Sequence, residues 1–364
     1  MQRPRIAFLI PSLETGGAER VVATLSNHLI DFFDVTILVL YKSPIFFDLD
    51  PRIQVVFCGD SYKPIYSLKH SFKTHIRLTR KIVSLLKTHN IDLIIGFMTT
   101  PNIYAVLASR LVKIPCIISE RVHPEYIDTS KFWFKLRRRL YPIADNLIVQ
   151  TQDIADYFSK FVNPKKIQII LNPLNPSLVE KRDQQVLKEN IILNVGRLDY
   201  QKNQEMLIKA FANINADNWK LVIVGDGQEK EHYKSLINEL NLNGKITLVG
   251  NTNNIAEYYN KASLFAFTSR YEGFPNALTE AMFFGLPCIA TDCPSGPSEL
   301  IDDSVNGLLI PSEDQLALEE KLQLLISNPE LRSKISIATE NNIDKFNVEN
   351  VSQQWQKIIN NLLN

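Results

Sequence analysis

Cysteine is scarce: the chain has four, Cys58, Cys116, Cys288 and Cys293, scattered along its length. No Cys-x-x-Cys pair and no Cys/His cluster stands at metal-ligand spacing, so a zinc module is not indicated. Three of the four lie in strand-like or apolar stretches, which predicts buried free thiols in a reducing cytoplasm. Long apolar runs are missing too. The opening "RPRIAFLIP" is too short and too soon interrupted for a signal peptide or a membrane span, and no later run reaches spanning length. A cytoplasmic protein is expected. Net charge is almost absent, at a formal +1, which argues against a bulk nucleic-acid binder. Low-complexity segments and short repeats are also lacking.

What is there is ordinary globular material, 45% hydrophobic and 22% charged, in 364 residues. That length exceeds one ordinary core and suits two domains. The charge is unevenly divided, with +9 in residues 1–175 and −8 in residues 176–364. A basic first half joined to an acidic second half suggests that one half faces an anionic partner.

Short β-branched runs alternate with stretches of helical period. "RIAFLI", "DVTILVL", "IQVVFC", "DLIIGF", "PCIIS", "NLIVQ" and "IQIIL" read as strands buried on both faces, as in parallel sheets. Interleaved helices imply βαβ units. After a proline-bearing, charge-rich stretch the pattern restarts with "IILNVG", "WKLVIVG", "KITLVG", "LFAFTS" and "LPCIATD". The expectation is an α/β protein of two Rossmann-like, doubly wound domains facing a central cleft. The first spans residues 1–172, a linker 173–190, the second 191–345. Val348, Val351, Trp355, Ile358 and Leu362 recur at helical spacing, so 346–364 reads as an amphipathic helix packing back toward the first domain. In such sheets ligands sit beyond the carboxyl ends of strands, near helix starts.

Four motifs fall at such places. In "PSLETGGAER", Gly16 and Gly17 separate a strand from a helix and permit close backbone approach and positive φ, or simply a tight turn. The pattern is not G-x-G-x-x-G, so a nicotinamide cofactor is not indicated. In "LNVGRLDYQKNQ", Gly196 ends a strand and Arg197 and Lys202 flank the turn, which suits a diphosphate or a solvated loop. In "LVIVGDGQ", Gly225 and Gly227 bracket Asp226 as a cofactor edge or a strand stop. In "RYEGFPNALTEAMFFGLP", Glu272 lies in a loop and Glu280 a turn into a helix. Pro275 suits that helix start, leaving N–H groups around Asn276, Ala277 and Leu278 for an anion. One glutamate on each side of an anion-binding helix start fits a sugar–diphosphate–ribose. A loop charge and a surface helix residue are the bland alternative.

"EGFPNALTE" resembles the E-x7-E motif of family 4 retaining glycosyltransferases of the GT-B fold, and "GGAER", "GRLDYQKN" and "VGDG" resemble that family's other landmarks in order and spacing. The resemblance covers essentially the whole chain. Through "GRLDYQKN", "ISER" and "LRRRLYP" it is similar to bacterial N-acetylgalactosaminyltransferases that extend undecaprenyl-diphosphate-linked glycans. The resemblance implies that Arg197 and Lys202 bind the donor diphosphate and stabilise the leaving nucleotide. It implies that Glu280 holds the ribose and Glu272 the sugar hydroxyls, with amides near Gly273, Phe274, Asn276 and Ala277 touching sugar or phosphate. Gly16 and Gly17 would let an acceptor-domain loop close over the diphosphate. No metal and no other cofactor is implied, and no D-x-D motif sits at a strand end. Family members carry a histidine after the strand corresponding to "PCIIS"; this chain reads "SERVHPEY", so Glu120, Arg121 or His123 takes that acceptor-side place, or His123 is only a lone surface histidine.

The basic half has its own pattern. Between 61 and 90, Lys69, Lys73, Arg77 and Lys81 run at four-residue spacing beside an apolar face of Leu68, Phe72, Ile76, Val83 and Leu86. A second cluster, "KFWFKLRRRLYP", mixes Trp133 with Arg137, Arg138 and Arg139. Either is a solvated helix packed on the sheet, or both meet an anionic lipid surface or lipid diphosphate. The reading is a cytoplasmic, membrane-peripheral retaining glycosyltransferase. It would move a sugar, expected to be a HexNAc, from a UDP-sugar to a polyprenyl-diphosphate-linked glycan in O-antigen, capsule or protein-glycosylation biosynthesis. A GT-B-type sugar-nucleotide epimerase and a non-catalytic nucleotide-sugar-binding regulator are the rivals.

Overall fold

The apolar runs of the first half form seven strands: β1 (Arg5–Ile10), β2 (Asp34–Val39), β3 (Gln54–Phe57), β4 (Leu93–Phe97), β5 (Cys116–Ser119), β6 (Asn146–Val149) and β7 (Ile167–Ile169). The computed structural model describes residues 3–61, 68–126, 131–341 and 343–364, and of residues 68–72 and 131 the backbone alone. All neighbours in this sheet pair in parallel, in the order β3-β2-β1-β4-β5-β6-β7. Central strands are sealed on both faces: Ile6, Ala7, Phe8, Leu9 and Ile10 are all buried, and so are Leu93, Ile94 and Ile95. That is why these runs are continuously apolar rather than alternating.

The second half builds β8 (Ile191–Val195), β9 (Lys220–Val224), β10 (Ile246–Gly250), β11 (Leu264–Phe267), β12 (Cys288–Asp292) and β13 (Leu308–Pro311), again all parallel, ordered β10-β9-β8-β11-β12-β13. The last strand was not expected from the sequence. It is only four residues long, pairs with β12 alone and ends on a proline, so its signal is short and its edge position tolerates the missing N–H.

The chain divides into two units, residues 1–175 with 346–364, and residues 176–345. Both are α/β with a parallel sheet, as the sequence predicts. The stretch 173–190 holds a short helix, Pro176–Lys181, with Leu178 buried. It is tied to the second unit by Asn260, which accepts from the Asp183 N–H at 3.0 Å and donates to the Lys181 carbonyl at 2.9 Å. The terminal helix Val348–Leu363 belongs to the first unit. Val351, Trp355 and Ile359 are buried there against the β1 side of the core, and Trp355 stacks on Phe97 with ring centroids 5.7 Å apart.

All four cysteines are buried free thiols, as expected. Burial pushes Cys58, Cys116 and Cys293 up to about 12, so none is a nucleophile near neutral pH.

Candidate functional site

In the second sheet the strand order reverses direction between β8 and β11, and the loops after those two strands carry the cationic motif and Glu272. A switch point of this kind is where α/β sheets take ligands. The two loops are laced together. The Arg270 N–H donates to the Gln201 carbonyl at 2.8 Å, the Gln201 amide to the Tyr271 carbonyl at 2.9 Å, and the Thr268 hydroxyl to the Lys202 carbonyl at 2.9 Å.

Within this lacing Lys202 and Glu272 form an ion pair, with side chains only 18% and 7% exposed. Gly196 flanks the lysine stem: a Cβ there would meet Lys202 Cγ and Cδ at 3.3 Å. The ammonium also lies 5.6 Å from the Phe267 ring centroid. Arg197 differs, being 73% exposed and in contact with Asp199 at 3.2 Å and Gln201 at 3.4 Å. A fork-shaped cation in water and a sheltered ammonium thus stand on one turn.

The glycines of "VGDG" have a physical reason. Gly225 adopts φ +140°, and a Cβ there would lie 2.0 Å from the Gly196 carbonyl oxygen; one at Gly227 would lie 2.3 Å from that of Leu198. The Gly196 N–H donates to Val224, Leu198 to Asp226 and Glu229 to Leu198, each at 3.0 Å. The loop after β9 therefore supports the loop that carries Arg197, backbone against backbone.

Glu280 is buried in the helix Asn276–Phe283, so the surface-residue alternative is corrected. One of its oxygens accepts from the Tyr259 hydroxyl at 3.0 Å. Phe274 is buried, and the Glu272 N–H next to Gly273 donates to the Pro294 carbonyl at 3.2 Å. The expected set of anion-facing amides narrows here. The Asn276 N–H already reaches the Phe274 carbonyl and the Leu278 N–H the Pro275 carbonyl, both at 3.0 Å, while Leu278 is fully buried. A tight first turn satisfies donors locally that an open helix start would leave for a ligand. Ala277 accepts the Tyr259 hydroxyl at 3.4 Å through its carbonyl. Sequence reading missed Tyr259 and the loop after β12, where Ser295 and Gly296 adopt φ +67° and +126° beside Pro275. The Ser-Gly-Pro run at 295–297 was the available signal.

In the first unit, Gly16 caps the helix Gly17–Leu29 with φ −177°, extended backbone open to any residue. Neither Gly16 nor Gly17 uses the positive φ that glycine permits. A Cβ at Gly16 would lie 2.1 Å from a Glu19 carboxylate oxygen, the mobile end of a flexible side chain, so a larger residue there would displace Glu19. After β5, Glu120 is buried and accepts hydrogen bonds from Tyr141 and Thr99. Arg121 places its guanidinium 4.3 Å over the Phe97 ring and donates to Asn172; burial brings its pKa down to about 9. His123 is 4% exposed, not a surface histidine, with Nε2 3.5 Å from an Asp153 oxygen. Burial lowers its pKa, and Asp153 opposes that.

The basic helix spans Leu68–Thr88, and Lys73, Arg77 and Lys81 are exposed along it; the Lys69 side chain lies outside the described residues. Its core face is Leu78, Ile82, Leu85 and Leu86, whereas Ile76, expected on the apolar face, is 38% exposed; the Leu68 and Phe72 side chains lie outside the described residues. In the helix Lys131–Leu140, Arg138 and Arg139 are exposed but Arg137 is buried, which corrects its place among the surface cations. It sits four residues after Trp133 and three before Leu140, on the stripe that faces inward. Its guanidinium lies 5.5 to 5.9 Å from the ring centroids of Phe134, Phe158 and Tyr157. Among the described residues, no helix is long and apolar enough to cross a membrane.

Comparison with known proteins shows the family and the fold. Residues 15–178 match Glycosyltransferase Family 4 and residues 179–342 match Glycosyl transferases group 1. The chain is 31% identical over 358 residues to the GalNAc-alpha-(1->4)-GalNAc-alpha-(1->3)-diNAcBac-PP-undecaprenol alpha-1,4-N-acetyl-D-galactosaminyltransferase of Campylobacter jejuni, covering 98% of each. It is 34% identical to that organism's N-acetylgalactosamine-N,N'-diacetylbacillosaminyl-diphospho-undecaprenol 4-alpha-N-acetylgalactosaminyltransferase, covering 90% of this chain and 92% of the relative. Among solved structures, HepE of Anabaena in complex with UDP superposes with a TM-score of 0.77 at 22% identity, over 98% and 100% of the two chains. By its relatives, its two parallel sheets and its motif order, the chain belongs to the family 4, group 1 glycosyltransferases, enzymes of the GT-B fold.

Proposed function

We propose that this glycosyltransferase moves an N-acetylhexosamine from a UDP-sugar to a glycan carried on a polyprenyl diphosphate, with retention of configuration and without a metal ion. The observation that carries the reading is the sheltered Lys202–Glu272 pair at the β8/β11 switch point, with exposed Arg197 on the same turn and Glu280 buried in the helix that follows. The names of the two Campylobacter relatives support the acceptor class and the sugar.

In this reading Lys202 turns from Glu272 to the donor diphosphate, and Arg197 closes on it as a fork. Glu272 then accepts hydrogen bonds from sugar hydroxyls, and Glu280 from the ribose. The sugar–phosphate C–O bond breaks with its electron pair leaving on UDP. The acceptor oxygen forms the new bond on the same face and gives its proton to a departing phosphate oxygen. Once in place, these two cations stabilise the charge that grows on the leaving group, which is the part a metal ion would otherwise supply. The glycines at 225 and 227 hold the cation-bearing turn in place. The first unit would take the acceptor, with Gly16, Gly17, Glu120, Arg121 and His123 on that side. Exposed Lys73, Arg77, Lys81, Arg138 and Arg139 would rest on an anionic bilayer, the exposed Phe132 and Phe134 lying among them.

The test is a screen of UDP-sugars against short polyprenyl-diphosphate glycans, read by product mass, with proton NMR for the anomer and a chelator control. Transfer of a HexNAc with an α-linkage, undiminished by chelator, is expected. Donor consumption without acceptor favours an epimerase, and binding without turnover favours a regulator; either result ends this reading. Failure of anionic vesicles to sediment the protein at low salt would remove the membrane part alone.

A further inference from the structure

Glu120 follows β5 and is 1% exposed, yet among the described residues it forms no salt bridge. Its carboxylate instead accepts from neutral donors: the Tyr141 hydroxyl, the Thr99 hydroxyl at 3.0 and 3.2 Å, and the Asn102 amide at 3.4 Å. Asn102 in turn donates to the Ser119 carbonyl at 3.0 Å and to Tyr141 at 3.1 Å, and accepts from the Ser119 N–H at 3.2 Å. At 1% exposure this carboxylate is out of a substrate's reach, and burying it is costly unless those bonds hold.

What the bonds hold is a strained turn. Thr99 and Asn102 lie in the first turn of the helix Thr99–Val112, and the residue capping it, Met98, adopts φ 74° and ψ 160°. Non-glycine residues avoid that region at a cost of about 1–3 kcal/mol, and persist there only when their surroundings over-determine them. The surroundings here are the Glu120 network. The Met98 N–H donates to the Ser119 carbonyl and its carbonyl accepts from the Asn102 N–H, both at 2.9 Å. The turn also sits at a telling place. The first sheet reverses its order between β1 and β4, and Met98 directly follows β4.

We propose that Glu120 is a positioning residue for the acceptor: without touching it, Glu120 clamps the strained Met98 turn and so fixes the strand-end surface on which the acceptor docks. The proposal rests on the reading that the first unit takes the acceptor. Burial raises the Glu120 pKa, while the Arg137 charge and the hydrogen bonds from Tyr141, Thr99 and Asn102 oppose that by favouring the ionised form that accepts them.

Full-length wild type, Glu120→Gln, Met98→Gly and the double variant separate the possibilities. Glu120→Gln puts an amide donor among donors, and should raise the acceptor KM about tenfold while donor KM and UDP affinity stay within about twofold. Glycine adopts the Met98 conformation without strain, so the double variant should recover most of that loss; simple destabilisation would not be rescued this way. Should Glu120→Gln fail to fold, Tyr141→Phe removes one donor and should raise the acceptor KM about threefold. An unchanged acceptor KM, an equal rise for both substrates, or no rescue by glycine overturns the proposal. Amide exchange at Met98 gives a readout independent of turnover: about tenfold faster exchange in Glu120→Gln, with β1 amides unchanged, is expected. A wild type that transfers nothing sinks the functional reading, whereas unchanged Met98 exchange sinks the clamp.

Discussion

Glu272 and Glu120 are both buried glutamates just beyond a strand end, one in each unit, and what answers them differs. Glu272 meets a lysine that keeps 18% of its side chain exposed. Glu120 meets two hydroxyls and an amide, one of the hydroxyls on a fully buried tyrosine. A lysine swings on a four-carbon stem and carries a charge that phosphate can claim, so the first pair can open for a ligand. The second carboxylate has neutral donors fixed by packing, and opening it would leave buried polar groups unpaired. Burial alone therefore does not identify a binding carboxylate. The charge and freedom of its partner do.

The comparison breaks most visibly at Lys202. Lys202→Ala strands Glu272 without its cation and removes charge from the departing diphosphate, so transfer kcat/KM should fall about 10³-fold. Arg137→Leu removes the buried cation whose field favours ionised Glu120. It should lower the melting temperature yet leave UDP affinity within about twofold, because it acts in the other unit. Titration calorimetry with UDP and initial rates on both variants check this. If Arg137→Leu weakened UDP as much as Lys202→Ala, the two buried sites would not be different in kind.

A smaller effect sharpens the same contrast from the backbone side. Gly225→Ala would drive a Cβ to 2.0 Å from the Gly196 carbonyl at φ +140°, pushing the turn that carries Arg197 and Lys202. UDP affinity should weaken about tenfold, with acceptor KM unmoved. Met98→Gly in the first unit, which relieves strain rather than imposing it, should leave UDP affinity unchanged. Normal UDP affinity in Gly225→Ala would mean that the loop after β9 does not position the cations.

How much of this was legible in the sequence follows from the range of each signal. Strands buried on both faces announce themselves as apolar runs, and glycine at 225 and 227 announces a crowded turn, because both constraints are local. Glu272 and Lys202 were each visible as site residues, but their pairing was not: they lie 70 positions apart and meet only because β8 and β11 are neighbours. Arg137 was misjudged because an arginine among arginines reads as surface charge, although its spacing from Trp133 and Leu140 already placed it on the inward stripe. The strain at Met98 had no sequence signal, since nothing in "GFMTTPN" asks for left-handed backbone. Its cause is tertiary, a network that reaches from residue 99 to residue 141.

The weakest expected effect is one of pH, and here the groups around the first unit's strand ends oppose each other. Burial lowers the His123 pKa below its ordinary 6.5, so the unfolded chain takes up that proton first as pH falls. The stability tied to neutral His123 is thus fully present above 6.5 and drains away as pH falls toward the folded value. Glu120 runs the other way. Its raised pKa means the folded chain binds the proton more readily, so stability is gained as pH falls through the folded value toward 4.5. Melting curves from pH 7.5 to 5.5 should show wild type losing stability by less than either substitution above costs, and His123→Gln removing that slope. Glu120→Gln should steepen the loss instead, because it deletes the compensating proton. Parallel curves for all three proteins would show that neither group changes protonation between the folded and unfolded chains in this range, and that Glu120 stays ionised in both.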